Sequence, residues 1–120
     1  MTKELPKIAV IGGTGALGSG LAFRWARAGY TVAIGSRDAE KGRLAADNLL
    51  SRLPQAEVSG AGNKDAAAQA DIIVLTVPFA HHEKTLEEIA PVAEGKIVVD
   101  TTVPLVPPKP NELLAALVIF

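Results

Sequence analysis

Residues 7–20 read KIAVIGGTGALGSG, an apolar run that stops abruptly at glycine. Isoleucine and valine favour extended chain, and the run from Ile8 to Ile11 is apolar without alternation, which predicts a strand buried on both faces. The glycines that follow have the spacing Gly13-x-Gly15-x-x-Gly18. A bare GxGxxG is a weak signal, but it gains weight where it follows a strand and opens a helix. From Ala16 to Ala28 the apolar residues Leu17, Leu21, Ala22 and Trp25 recur at helical spacing, and Gly29 supplies a stop. Tyr30 to Ile34 then predicts a second strand, which completes a βαβ unit. In such a unit Gly13 permits the tight turn, Gly15 lets a pyrophosphate approach the backbone, and Gly18 lets the helix pack close to the strand. The N–H groups of the first helical turn, at the positive end of the helix dipole, then face the phosphates.

The remaining chain repeats the alternation. Asp38 to Leu53 predicts a helix with Asp38 as N-cap, Pro54 just past its end, and Leu44, Leu49, Leu50 and Leu53 on its apolar face. Glu57 to Ser59 predicts a short edge strand, and Lys64 to Ala70 a short helix capped by Asn63. Asp71 to Val77 is a strand stopped by Pro78, His81 to Ala90 a helix ending near Pro91, and Lys96 to Thr101 a further strand. Short connections between continuous apolar strands and helices predict an α/β fold, a doubly wound parallel sheet of Rossmann type with strand order 3-2-1-4-5. Ligands of such a sheet bind beyond the carboxyl ends of the strands, at the switch point between strands 1 and 4.

Residues 1–106 therefore read as a dinucleotide-binding domain. Residues 103–110, VPLVPPKP, are too rich in proline for a central strand, and residues 111–120, NELLAALVIF, form an apolar tail with no evident packing partner. The segment 107–120 is thus expected to stand apart, as the point where a larger protein is cut short or as a surface covered by a partner chain.

The end of strand 2 decides which dinucleotide fits. Residues 34–41 read IGSRDAEK, and an acid about twenty residues beyond the glycine turn usually holds the adenosine ribose of NAD. Counting forward reaches Asp38, but Asp38 falls where the next helix needs its cap. The strand end itself offers Ser36, a hydroxyl donor, and Arg37, a planar fork suited to phosphate, with Lys41 one helical turn on. Three donors without a free acid favour NADP over NAD.

Bulk composition narrows the classes further. With 120 residues the chain makes one domain, and 48% hydrophobic against 21% charged residues describes a soluble globular protein. Net charge is −1, against general affinity for nucleic acid. The charge divides as +3 over residues 1–60 and −4 over 61–120, so an anionic ligand is expected on the first half. There are no cysteines, which excludes disulfides and thiolate chemistry and is compatible with a reducing cytoplasm. Any metal would have to rely on the two histidines and carboxylates, and none is expected. No signal peptide precedes Ile8, and the longest apolar run, Leu113 to Phe120, is far shorter than the ~20 residues that span a membrane.

The segments 8–41 (IAVIGGTGALGSGLAFRWARAGYTVAIGSRDAEK), 71–81 (DIIVLTVPFAH) and 96–105 (KIVVDTTVPL) together resemble the F420-dependent NADP oxidoreductases, which move hydride between NADP and an 8-hydroxy-5-deazaflavin. The likeness covers residues 7–108. It implies that Thr14, Gly15, Ala16 and Leu17 hold the pyrophosphate and that Ser36, Arg37 and Lys41 hold the 2′-phosphate. It implies further that Thr76, Val77, Pro78 and Phe79 lie along the nicotinamide half, with Val103 and Pro104 flanking the nicotinamide pocket. NADP(H) and coenzyme F420 are the partners implied, in a homodimer or larger homo-oligomer whose second half, absent here, helps close the deazaflavin site. No protein acid or base is needed, so no catalytic residue is expected. His81 and His82 are expected as solvated residues at a helix start, or as aids in steering the deazaflavin, and Phe23 and Trp25 as core or interface. An NADP-dependent reductase of another small substrate, such as an imine, and a nucleotide-binding module without turnover remain as alternatives.

Overall fold

The computed structural model describes residues 5–101 and the backbone of a strand at 116–119. The central strand is β1 (Ile8–Ile11), all of it buried. It pairs in parallel with β2 (Val32–Ser36) on one side and β4 (Ile72–Leu75) on the other, so that Ile8 stands opposite both Val32 and Ile72. Beyond β2 lies β3 (Val58–Gly62), and beyond β4 lies β5 (Ile97–Asp100), each again parallel. The five parallel strands thus have the order 3-2-1-4-5.

The apolar runs do not alternate because both sheet faces are covered. Ile8 and Val10 join Val32, Ile34 and Val74 beneath α1 (Ala16–Arg27) and α2 (Ala39–Arg52). Ala9 and Ile11 join Ile73, Leu75 and Ile89 on the opposite face, beneath α3 (Asn63–Ala68) and α4 (His82–Ala93). A short 3₁₀ turn, Phe79–His81, leads into α4.

The helices approach the sheet through small residues. The buried side of α1 is Gly18, Ala22 and Ala26, and that of α2 is Gly42, Ala46 and Leu49. Leu17 and Leu44, expected on the buried faces, are instead 54% and 58% exposed. The stripe that the strands require is one of small side chains, and the larger leucines sit beside it. The contact of α2 with β3 is tighter still. A Cβ on Gly60 would stand 2.0 Å from the carbonyl oxygen of Gly42, and one on Gly42 would stand 2.6 Å from that of Ala61.

Other expectations shift by a few residues for identifiable reasons. β2 runs on to Ser36, because its ladder to β3 continues through Ser36 opposite Gly62. The helix α4 passes through Pro91 rather than stopping before it. Proline there removes only one hydrogen bond, in the last turn, and both Pro91 and Glu87, the residue that would have accepted it, are exposed to water. Asn63 does not cap α3; the N-cap is Gly62, and Asn63 is the first helical residue, its side chain buried. The apolar tail does find a backbone partner. Ala116–Ile119 forms β6, antiparallel to β5, with Ala116 opposite Asp100 and Ile119 opposite Ile97. The rest of the segment 107–120 lies outside the described residues. No helix among the described residues is long and apolar enough to cross a membrane.

Because the atoms facing Gly60 are backbone, α2 cannot accommodate a methyl group there without moving off the sheet. Gly60→Ala is expected to lower stability by about 1–3 kcal/mol, the usual range for overpacking. Urea unfolding should show the loss as a lower midpoint at unchanged slope.

Candidate functional site

At the carboxyl ends of the strands, β1 turns into α1 while β4 runs into the segment Thr76–Phe79. A cleft of about 520 Å³ opens between them. Thr14, Gly15, Ala16 and Leu17 form one wall, Thr76, Val77, Pro78 and Phe79 the other, and Arg37 stands at its β2 end.

Three close approaches shape the glycine turn. Gly12, not Gly13, has the left-handed backbone, with φ of +78°. A Cβ on Gly12 would also meet Val77 Cγ1 at 2.6 Å. The turn therefore bends one residue earlier than the GxGxxG spacing suggests, because β1 ends at Ile11. Gly13 is needed for packing instead, since its Cβ would stand 2.9 Å from Ile34 Cγ2 and the Val10 carbonyl oxygen. Gly18 lets α1 close on the strands, for a Cβ there would stand 2.6 Å from both Gly13 Cα and Thr76 Oγ1. Thr76 is held in place by its own hydroxyl, which donates to the Ile11 carbonyl at 2.8 Å. Gly15 is different: the nearest atom to its Cβ would be 3.8 Å away. Nothing among the described residues requires glycine there, and the space beside it is open.

The two helices that begin near this cleft are prepared differently. Asp38 caps α2, its Oδ1 accepting the Glu40 N–H at 3.0 Å, and Glu40 adds an acid to the first turn. At α1 the N-cap is Gly15, with no capping side chain and no acid in the first turn. The first-turn N–H groups of α1 and the positive end of its dipole are left facing the cleft. Among the described residues the cleft lining contains no carboxylate.

The donors expected at the end of β2 do not all share one cleft. Ser36 is buried, and its hydroxyl oxygen accepts the Asp38 N–H at 3.2 Å. Arg37 is exposed and borders the glycine-turn cleft. Lys41 borders a neighbouring groove of about 1030 Å³ between α1 and α2, and Thr14 and Ala16 border both spaces. Neither Arg37 nor Lys41 has an ion-pair partner among the described residues. In the groove Phe23 is half-buried, with the Arg52 guanidinium 4.1 Å over its ring, and Trp25 also packs against the core. Val103 and Pro104 lie outside the described residues.

His81 lines the cleft, its carbonyl accepting the Thr85 hydroxyl at 2.8 Å. His82 is not the free surface residue expected, for its Nε2 pairs with Asp100 Oδ2 and its side chain is only 25% exposed. Asn63, read from the sequence only as a helix cap, and Thr101, read only as a strand end, also line the cleft. The usable signal was position: each is a polar residue at or just past the carboxyl end of a parallel strand.

Known proteins converge on the same reading. The family model described as NADP oxidoreductase, coenzyme F420-dependent, matches residues 7–104. The chain belongs to this family. An F420-dependent NADP reductase of Methanothermobacter thermautotrophicus is 52% identical over 101 residues, 82% of this chain and 44% of that protein. Among solved structures, one from Arthrobacter sp. FB24, assigned as an F420-dependent NADP reductase, superposes with a TM-score of 0.71 at 32% identity. It covers 88% of this chain and 50% of its own. An imine reductase of Myxococcus stipitatus, a V8 variant in complex with NAD+, has a TM-score of 0.65 at 26% identity, covering 84% of this chain and 33% of that one. The chain spans about half the length of the curated relatives it matches.

Gly15 and Gly18 should therefore respond differently to the same change. Gly15→Ala is expected to leave stability within about 0.5 kcal/mol, as for surface substitutions. Gly18→Ala should cost about 1–3 kcal/mol, because backbone and Thr76 must give way. Chemical denaturation of the two variants side by side would show the contrast.

Proposed function

We propose that this chain forms the NADP(H)-binding half of an oxidoreductase that moves hydride between NADPH and coenzyme F420. The observation that carries the reading is a cleft, without a carboxylate among its described lining residues, that joins the uncapped start of α1 to Arg37 at one end and to Thr76–Phe79 at the other. That lining suits a polyanion with an apolar far end, and the family match names both cofactors.

In this reading Thr14, Gly15, Ala16 and Leu17 hold the pyrophosphate with backbone N–H groups, and Gly13 and Gly18 shape the turn beneath it. Arg37 holds the 2′-phosphate with its planar fork. Ser36, whose oxygen already accepts a backbone N–H, turns its hydroxyl hydrogen toward the same group, and Lys41 approaches it from α2. Thr76, Val77, Pro78 and Phe79 support the nicotinamide half, and Val103 and Pro104 complete that end. NADP supplies the hydride chemistry when bound, the deazaflavin being its partner. The chain binds, orients and excludes water, and the rate follows from positioning rather than from a protein acid or base. Among the described residues of the cleft, the ionisable side chains are Arg37 and His81. The subunit pairing and the closure of the deazaflavin site belong to the half of the relatives that this chain does not span, and a reducing cytoplasm suits a chain without cysteine. The imine-reductase alternative rests on 26% identity, against 52% for an F420-dependent reductase.

Titration with NADPH and NADH tests the phosphate site. Arg37→Ala is expected to weaken NADPH by about 1.5–3 kcal/mol, the range for a charge-assisted hydrogen bond, and to leave NADH nearly unchanged. Equal losses for both would remove Arg37 from the 2′-phosphate. Bleaching of the deazaflavin absorbance by NADPH in the presence of the protein tests turnover. Nucleotide binding without bleaching would reduce the chain to a binding module.

A further inference from the structure

Asn63 is 1% exposed, and neither its Oδ1 nor its Nδ2 has a hydrogen-bond partner among the described residues. Buried polar side chains are ordinarily satisfied. The others here obey that rule: Ser36 accepts from the Asp38 N–H, and Thr85 donates to the His81 carbonyl. An unpartnered carboxamide in the lining of a ligand cleft therefore calls for a partner that is not protein.

Its place indicates which part of a ligand it meets. Asn63 follows β3 at the carboxyl edge of the sheet and lies against the end of β2. A Cβ on Gly35 would stand 2.9 Å from Asn63 Oδ1, so glycine at that position makes room for the carboxamide. The same cleft is lined by Gly12 and Thr14 on the glycine turn and by Arg37. A dinucleotide with its pyrophosphate on that turn and its 2′-phosphate at Arg37 must pass its adenosine ribose between the two. No hydrogen bond fixes the carboxamide in its present orientation.

Chemistry selects the ribose over the phosphate. A ribose hydroxyl both donates and accepts, as a carboxamide does, whereas a phosphate is matched by the cations Arg37 and Lys41. The acid that commonly holds this ribose in the fold is missing, because Asp38 is engaged as the cap of α2. We propose that Asn63 meets the sugar instead, at the neighbouring position, exchanging hydrogen bonds with the adenosine 3′-hydroxyl that NADPH and NADH have in common. The inference rests on the nucleotide-site reading above and adds to it a residue that acts on the sugar alone.

The test is Asn63→Leu, close in volume but without donor or acceptor, measured by calorimetric titration and by thermal unfolding without ligand. NADPH and 2′,5′-ADP should each bind roughly tenfold more weakly, as expected for one or two lost hydrogen bonds. The preference for NADPH over NADH should not change, and the unfolding midpoint should hold or rise. Unaltered affinity would overturn the proposal, as would a loss confined to NADPH, which would place Asn63 on the phosphate. A lowered unfolding midpoint alongside the weaker binding would also overturn it, because the residue would then be part of the packing. If the leucine variant does not fold, Asn63→Ala is put through the same measurements. Wild-type protein that binds neither nucleotide would sink the nucleotide site and this inference together. A normal Arg37→Ala effect beside an inert Asn63→Leu would sink this inference alone.

Discussion

Where β1 gives way to α1, three stretches of backbone pass too close for any side chain between them. Gly12 turns against Val77, Gly13 lies on Val10 and Ile34, and Gly18 brings the helix down onto Gly13 and Thr76. The rest of the architecture depends on this convergence. It sets the start of α1 over the end of the central strand, and it ties β1 to β4 through the Thr76 hydroxyl on the Ile11 carbonyl. It also makes the crevice between the two strands. A bulkier turn would hold the helix away from the sheet and remove the surface on which a pyrophosphate can rest.

Much of this was legible in the residues. Unbroken apolar runs separated by helical periodicities are hard to reconcile with anything but a parallel sheet covered on both faces, and the order 3-2-1-4-5 follows from short right-handed connections. Asp38 was readable as a cap from its place alone. What escaped was contact-dependent. Leu17 and Leu44 fit the helical period as well as their neighbours do, and only the closeness of helix to strand shows that Gly18, Ala22, Gly42 and Ala46 form the buried stripes. Gly12 and Gly13 are adjacent and chemically identical, so the residue with positive φ depends on where the strand ladder stops. Asn63 looked like an ordinary cap because its burial comes from Gly35, a residue distant in sequence. His82 likewise meets Asp100 only after β5 has docked beside β4.

The two helix starts show how local chemistry allocates electrostatics. α2 is closed by its own Asp38 and Glu40, and α1 begins on glycine with neither. Both dipoles point toward the same edge of the sheet, yet only one of them is neutralised from within. The field that remains is concentrated over Thr14 to Leu17, beside a lining whose described residues include no carboxylate. The positive first half of the chain thus reaches the cleft less through its many cations than through one helix end and Arg37.

Arg37 and Lys41 are exposed, and neither has an ion-pair partner among the described residues. The scaffold is held elsewhere, by the glycine contacts and the two apolar layers. Folding and ligand choice are in this respect nearly separate ledgers of selection. Arg37 and Lys41 can be exchanged or redesigned while Asp38 still caps α2 and the sheet beneath stays the same. A scaffold organised in this way can be retuned from one nucleotide to another without first being rebuilt, which is the condition under which a single fold diversifies into many cofactor preferences.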